Sequence, residues 1–531
     1  MKVAIIGGGG SGWMTASWLA KLIPTLDITV IESDKTPRLG VGESVTPHVT
    51  KFLEVLEIDE RDFMFKTGSI YKYGNNFVNW AHGKGESEHF YFSWNKNRTQ
   101  LLQSPYTGVS WDDHLTVKSG DTRLTDYWLE LFLKGKVDRQ FSKTFAGWHN
   151  FTDDLKAPYI GTTPYLKNDM NWSYHINAER FADYLRDNCA IPKGVKKKVA
   201  HIQSVVVDNQ EISKLVFDTG EEFTADLYLD CSGLTRLLMK NFELDWKWYD
   251  HTPCDTAIVC QVDYTDQSVE MKNYSQTLAM DEGWKFVVTL YHRMGQGYVY
   301  SSEHSNDEDI LKQFKSTLTK PRFEPKKMKW DRKRITNASF GNVCAIGLAI
   351  GFIEPMEANM IGTTINSIWT LTNLLKDVTT VKEINWNKYN QVMAENFDNV
   401  ADFISVHYTL TQREDTEFWR AMKDQGVKLK HEEFIIQQYM DSKNTMSETA
   451  KGTCFFPDYM WIELAAAWGL DLTKWPRKTI SKEELELAEH HFNYLKCNIE
   501  TASKEFPPYY DFMREQVFNG MTPDDWARNV L

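Results

Sequence analysis

The chain opens with the apolar run Val3-Ala4-Ile5-Ile6, a glycine turn Gly7-x-Gly9-x-x-Gly12, and Trp13 to Leu22, whose apolar spacing suits a helix. Ile28 to Ile31 reads as a second buried strand, closing a βαβ unit. In that context each glycine has a physical reason. Gly7 permits the tight turn, Gly9 lets backbone approach a diphosphate, and Gly12 allows close packing of helix on strand, while Gly8 and Ser11 lie in the same turn beside the helix N–H groups. Glu32 ends the second strand, where a carboxylate accepts from ribose hydroxyls and disfavours a 2′-phosphate. The pattern predicts dinucleotide binding, and by itself it does not distinguish FAD from NAD.

Further along, Asp226 to Gly233 and Val343 to Gly347 each read as a strand running into a turn, an arrangement that suits a chain wrapping a long, extended FAD. Ile202 to Val207 and Glu222 to Asp230 read as strands and Ala178 to Arg186 as a helix. From about Asn366 onward the pattern is mainly helical. The expected fold class is therefore α/β, a Rossmann-like FAD-binding module over residues 1–365 with a mainly helical C-terminal region over 366–531 packed on it and contributing to a substrate cavity.

Charge and cysteine usage narrow the partners. Lys and Arg number 60 against 73 Asp and Glu, a net charge of −13 without a long basic block, so no nucleic acid partner is expected. The seven cysteines contain no CxxC pair, which argues against a disulfide framework or structural zinc and for a reducing, cytoplasmic setting. Glu489-His490-His491 lacks an i, i+4 partner, and no metal is assigned. The longest apolar run, Val343 to Ile353, falls short of the ~20 residues that span a bilayer, so no membrane anchor is expected. The glycines interrupt the N-terminal apolar stretch too early for a signal peptide, and it reads as a folded strand. Self-association is left open.

Several blocks, in order along most of the chain, resemble the flavin-dependent tryptophan halogenase family: Gly7 to Trp13, Pro37 to Glu43, Phe77 to Trp80, Leu124 to Leu129, Asp230 to Gly233, Gly297 to Ser302, Glu354 to Glu357 and Asp415 to Trp419. The resemblance implies a fold of the flavin monooxygenase/halogenase type. It also implies an enzyme that takes FADH2 from a separate flavin reductase and uses O2 to oxidise a halide ion to hypohalous acid, which travels inside the protein to an electron-rich aromatic ring. The family's essential lysine falls on Lys72, and its glutamate in the Glu-Pro-x-Glu block on Glu357. A lysine in a low-dielectric channel can hydrogen-bond hypohalous acid or, as a neutral amine, form a haloamine. A carboxylate can take the proton when the ring rearomatises. An alternative for Glu357 is a helix N-terminal glutamate following Pro355. By the same correspondence Arg38, Ser44, Val199, Leu348 and Ile361 join Gly8 and Ser11 at flavin-contacting positions.

The chain also departs from the family. The Ser-Thr-Gly that usually follows the glutamate, whose last two N–H groups help to bind halide, is here Ala358-Asn359-Met360. A loosened halide site favours bromide or iodide, which shed water and are oxidised more readily than chloride. The Trp-x-Trp-x-Ile-Pro motif is reduced to Trp284-Lys285-Phe286-Val287-Val288-Thr289, which keeps an FAD-dependent aromatic monooxygenase as an alternative. The tryptophan-gripping segment near Cys454 to Gly469 is short, so Phe455, Phe456, Tyr459 and Trp461 are expected to line a more open cavity for small phenols, indoles or anilines, with core packing as the alternative. A flavin-binding protein without turnover is the reading from a different class.

Overall fold

The computed structural model describes residues 1–35, 40, 42–83, 89–93, 124–140, 142–146, 149–160, 163–164, 172–423, 430–436, 455–456 and 458–531. The chain divides into two compact units, each assembled from three separated segments: 1–69, 176–255 and 329–401 in the first, and 70–175, 256–328 and 402–531 in the second.

The first unit is built on a six-stranded sheet. Strand β1 (Lys2–Ile6) leads through helix α1 (Gly10–Leu22) to strand β2 (Asp27–Glu32). Across the sheet the order is Lys196–Val199, β2, β1, Leu227–Asp230, Val343–Ala345 and Ser339–Phe340, all parallel except the last pair. Val3 to Ile6 are buried on both faces, as expected of a central parallel strand covered by helices. α1 begins at Gly10, slightly before the apolar spacing alone would start it, because Gly9 serves as its N-cap. The segment Glu222 to Asp230 forms two short strands, Glu222–Phe223 and Leu227–Asp230, the first closing an antiparallel sheet with Ile202–Asp208 and Glu211–Phe217 and the second pairing with β1. The apolar run at 343–353 is a strand, a 3₁₀ turn and a two-residue strand.

The second unit holds a seven-stranded mixed sheet, ordered Lys326–Lys329, Thr256–Val262, Arg293–Tyr300, Gly283–Leu290, Ser275–Ala279, Gly74–Val78 and His89–Ser93. Helix Asp307–Ser316, capped by the Asn306 side chain on the Glu308 N–H, lays Ile310 and Phe314 on Ile258, Cys260, Tyr298 and Tyr300 of the sheet. No strand follows Phe352 among the described residues, so the C-terminal region is helical. Its Lys482–Ala502 helix starts at a reciprocal Ser481–Glu484 capping box. The Asp415 to Trp419 block anchors the Phe77 to Trp80 block here. Arg413, with a fully buried side chain, forks onto both oxygens of Asp415 (2.9 and 2.7 Å), donates to the Asn79 carbonyl and lies 4.6 Å over Trp419. No helix among the described residues is long and apolar enough to cross a membrane, and no cluster of His, Cys, Asp or Glu among them could hold a metal ion.

Candidate functional site

In the first unit a cavity of about 620 Å³ opens at the carboxyl ends of the parallel strands, the place where open α/β sheets hold ligands. It is lined by Gly7, Gly8, Gly9, Ser11, Glu32, Val199 and Leu348 among the residues singled out in the sequence. Gly7 has φ +119°, and a Cβ there would fall 2.5 Å from the Cys231 carbonyl oxygen, so the turn demands glycine. Gly9 and Gly10 face open space, with nothing within 4 Å of an added Cβ. α1 receives no capping side chain, so its first N–H groups are turned to whatever enters the cavity. Gly12 is not a lining residue. Its Cβ would strike the Gly7 carbonyl at 1.8 Å, which makes it the close-packing glycine of the set. A bare cradle of backbone donors with a carboxylate at the end of β2 fits the diphosphate and ribose of a flavin dinucleotide.

Other cofactor candidates fall elsewhere in the same unit. Ser44 lies on the two-residue strand Glu43–Ser44 and Ile361 in helix Asn359–Leu375, and neither lines this cavity. Arg38 lies outside the described residues. Val199, on the edge strand, is 53% exposed. Lys197, His201, Glu179, Ser232 and Thr235 also line the cavity and were not singled out by the sequence. The signal for Ser232 was present in the Asp230 to Gly233 block. Asp230 gathers its turn by accepting from the Ser232 hydroxyl and from the N–H groups of Leu238 and Met239.

The turn before helix Asn359–Leu375 carries Glu357. Pro355 predicts a helix that already contains this glutamate, yet Glu357 (φ 61°, ψ 12°) and Ala358 (φ 53°, ψ 36°) are both left-handed and the helix begins after them. Two consecutive non-glycine residues in this region store backbone strain, which persists only where the surroundings impose it. Asn359 is part of that imposition. Its buried amide donates to the carbonyls of Glu354 (3.2 Å) and Met356 (2.7 Å), tying the helix start to the turn. Asn359 and Met360 are the first residues of the helix and the N-cap supplies no side-chain acceptor.

In the second unit Lys72 ends the strand Ile70–Lys72 and is fully buried. The strand pairs Lys72 with Ser173 and Ile70 with His175, so strand alternation puts Lys72, Ser173 and His175 on one face. Tyr71 and Tyr174 take the opposite face with ring centroids 6.0 Å apart. His175 is held between the Thr289 hydroxyl (3.1 Å) and the Ser275 hydroxyl (2.8 Å). Burial and, secondarily, the charge of Lys72 push its imidazole well below the ordinary range, so it is neutral at pH 7. Lys66, a lysine six residues earlier in the chain, belongs to the first unit and pairs with Asp62 at its surface.

The aromatic candidates are packed. Phe456 stacks on Phe403 at 4.0 Å, Trp461 meets Phe403 edge-on at 4.9 Å, and Phe455 abuts Phe456 at 4.8 Å. All three are at most 2% exposed. The Tyr459 side chain lies outside the described residues. On the neighbouring sheet Lys285, almost wholly buried, donates to the Thr317 hydroxyl at 2.9 Å, and burial pushes its ammonium down to about 8.

A family model described as "Tryptophan halogenase" matches residues 2–479. Tryptophan 7-halogenase RebH of Lentzea aerocolonigenes is 30% identical over 442 residues, covering 80% of this chain and 79% of that protein. Tryptophan 6-halogenase ThaL of Streptomyces albogriseolus is 28% identical over 431 residues, covering 80% and 78%. Among solved structures, BrvH, a flavin-dependent halogenase from Brevundimonas sp. BAL3, matches with TM-score 0.80 at 25% identity, covering 97% of this chain and 98% of its own.

Proposed function

The chain belongs to the tryptophan halogenase family and is a flavin-dependent halogenase, and from that premise we propose that it halogenates a small electron-rich aromatic compound through hypohalous acid relayed by Lys72. The observation that carries this reading is the complete burial of the Lys72 side chain. An ammonium removed from water is costly, and such groups are concentrated at sites that use them.

Gly7, Gly8, Gly9, Ser11, Glu32, Val199 and Leu348 would hold FAD, with Gly12 keeping the turn tight and Arg38, Ser44 and Ile361 as further contacts. Bound reduced flavin supplies the activation of O2 by which halide becomes hypohalous acid. The Asn359 and Met360 N–H groups bind the halide. Lys72 Nζ donates a hydrogen bond to the hypohalous oxygen or, as the free amine, takes the halogen and releases water. Glu357 accepts the proton that leaves the ring as aromaticity returns. A separate flavin reductase supplies FADH2. Because Met360 stands where the family has glycine and loosens the halide loop, bromide and iodide, which shed water and are oxidised more readily, are turned over at least as fast as chloride.

The test supplies reduced flavin, O2 and each halide in competition to a panel of phenols, indoles and anilines, with wild type and Lys72→Ala. Wild type adds halogen by mass, and Lys72→Ala loses that product while still binding FAD. Addition of oxygen by the wild type instead assigns monooxygenase chemistry. Undiminished halogenation by Lys72→Ala removes the lysine from the mechanism, and a strict chloride preference refutes the halide reading.

A further inference from the structure

Lys196, Lys197 and Lys198 are consecutive on the edge strand that pairs in parallel with β2. Two of them face acids at the surface: Lys196 pairs with Asp27 at 2.6 Å and Lys198 with Glu221 at 2.8 Å. The middle lysine, on the other face of the strand, lines the 620 Å³ cavity, and its Nζ lies 2.6 Å from Glu32 Oε1. The other oxygen, Glu32 Oε2, accepts from the indole N–H of the fully buried Trp13 at 3.4 Å. It also lies over Gly8, where a Cβ would fall 1.7 Å from it. Both carboxylate oxygens are thus held, one by a cation and one by an indole. The Glu32 side chain is 12% exposed and that of Lys197 is 32% exposed, so their attraction is only partly screened.

A carboxylate at this position serves a dinucleotide in one respect and opposes it in another. It can accept from the ribose diol, because each oxygen has a second lone pair. Its charge repels the diphosphate that the neighbouring glycine turn would hold. We propose that Lys197 is a positioning residue for the adenosine end of FAD, fixing Glu32 to accept from the ribose and cancelling its charge so that the diphosphate enters a neutral mouth. The proposal rests on the reading that this cavity holds FAD. It makes flavin affinity, and so the ease with which reduced flavin is taken up and released, a property of one ion pair far along the sequence from the glycine motif.

The experiment is a titration of oxidised FAD, read by quenching of flavin fluorescence, against wild type, Lys197→Ala, Lys197→Arg, Glu32→Gln and the Lys197→Ala/Glu32→Gln double variant. Lys197→Ala weakens binding about tenfold, the loss of one charge-assisted contact, and Lys197→Arg restores most of it. In the Glu32→Gln background, removing the lysine changes affinity by less than about twofold, because its effect acts through that carboxylate. In turnover, Lys197→Ala raises KM for reduced flavin by more than it lowers kcat. Unchanged affinity in Lys197→Ala overturns the proposal, as does an equal loss in both backgrounds, which would mean direct attraction of the diphosphate. Absence of FAD binding by the wild type would instead overturn the cavity assignment.

Discussion

Replacing the glycines of the first turn one at a time separates folding from cofactor binding, and Gly9→Ala is the decisive member. Gly9 sits at the N-cap with φ −84° and ψ −168°, an extended backbone open to any residue, and its Cβ would meet no protein atom within 4 Å. Alanine is a poorer N-cap than glycine by about 1 kcal/mol or less, which in a chain of this length moves Tm by about 1–2 °C. The same methyl projects into the space where a diphosphate approaches the helix N–H groups. Displacing two charge-assisted hydrogen bonds costs about 3 kcal/mol or more, a loss of about a hundredfold or more in affinity. Gly7→Ala and Gly12→Ala behave differently, since their methyls would collide with the Cys231 and Gly7 carbonyls at 2.5 and 1.8 Å, both backbone atoms. These variants lose folding itself, read as lower soluble yield and Tm. The assay pairs thermal unfolding without flavin with an FAD titration. Gly9→Ala binding FAD as tightly as wild type, or unfolding as readily as Gly7→Ala, refutes the reasoning.

Two further outcomes follow from buried charges. Asp415→Ala strands the Arg413 guanidinium in the second unit's core and costs about 3 kcal/mol, measured by urea unfolding, whereas Asp415→Glu recovers part of it. Burial holds Lys285 at about 8 in the folded chain against its ordinary value of 10.5, so between these values the unfolded chain binds more protons and stability rises with pH. Below pH 8 the full penalty is present. Lys285→Met is therefore more stable than wild type at pH 7, and its stability gains less than that of wild type between pH 8 and 10.5; a wild-type curve flat across this window contradicts the assignment.

The N-terminal βαβ unit was legible because three independent local signals coincide within it: short apolar strands, glycines at turn spacing and a terminal acid. The helical C-terminal region was legible from its residue pattern after about Asn366. Lys197 was not, since three lysines in a row read as a solvated surface, and only pairing with β2 decides which of them turns inward. The left-handed pair Glu357-Ala358 was equally hidden, because local propensity after Pro355 extends the helix and the Asn359 side-chain bonds to the Glu354 and Met356 carbonyls that override it are not written in propensity. Lys72 illustrates the limit from the other side. A lone lysine carries no burial signal, and its place on a buried strand comes from the register with Ser173 and His175, a hundred residues away. Phe455, Phe456 and Trp461 were read from the family resemblance and the short segment here as a cavity wall with core packing as the alternative. The structure buries them, Phe456 and Trp461 on Phe403, a residue far upstream that no local pattern connects to them, and Phe455 on Phe456.

β1 lies between β2 and Leu227–Asp230, with Val343–Ala345 beyond. On the ribosome, β1 emerges well before one of its neighbours, which is encoded more than two hundred codons later, about 10–40 s at ordinary synthesis rates. Throughout that interval one apolar edge is open to mispairing, and synonymous changes that slow elongation before position 227 are expected to lower the yield of active enzyme.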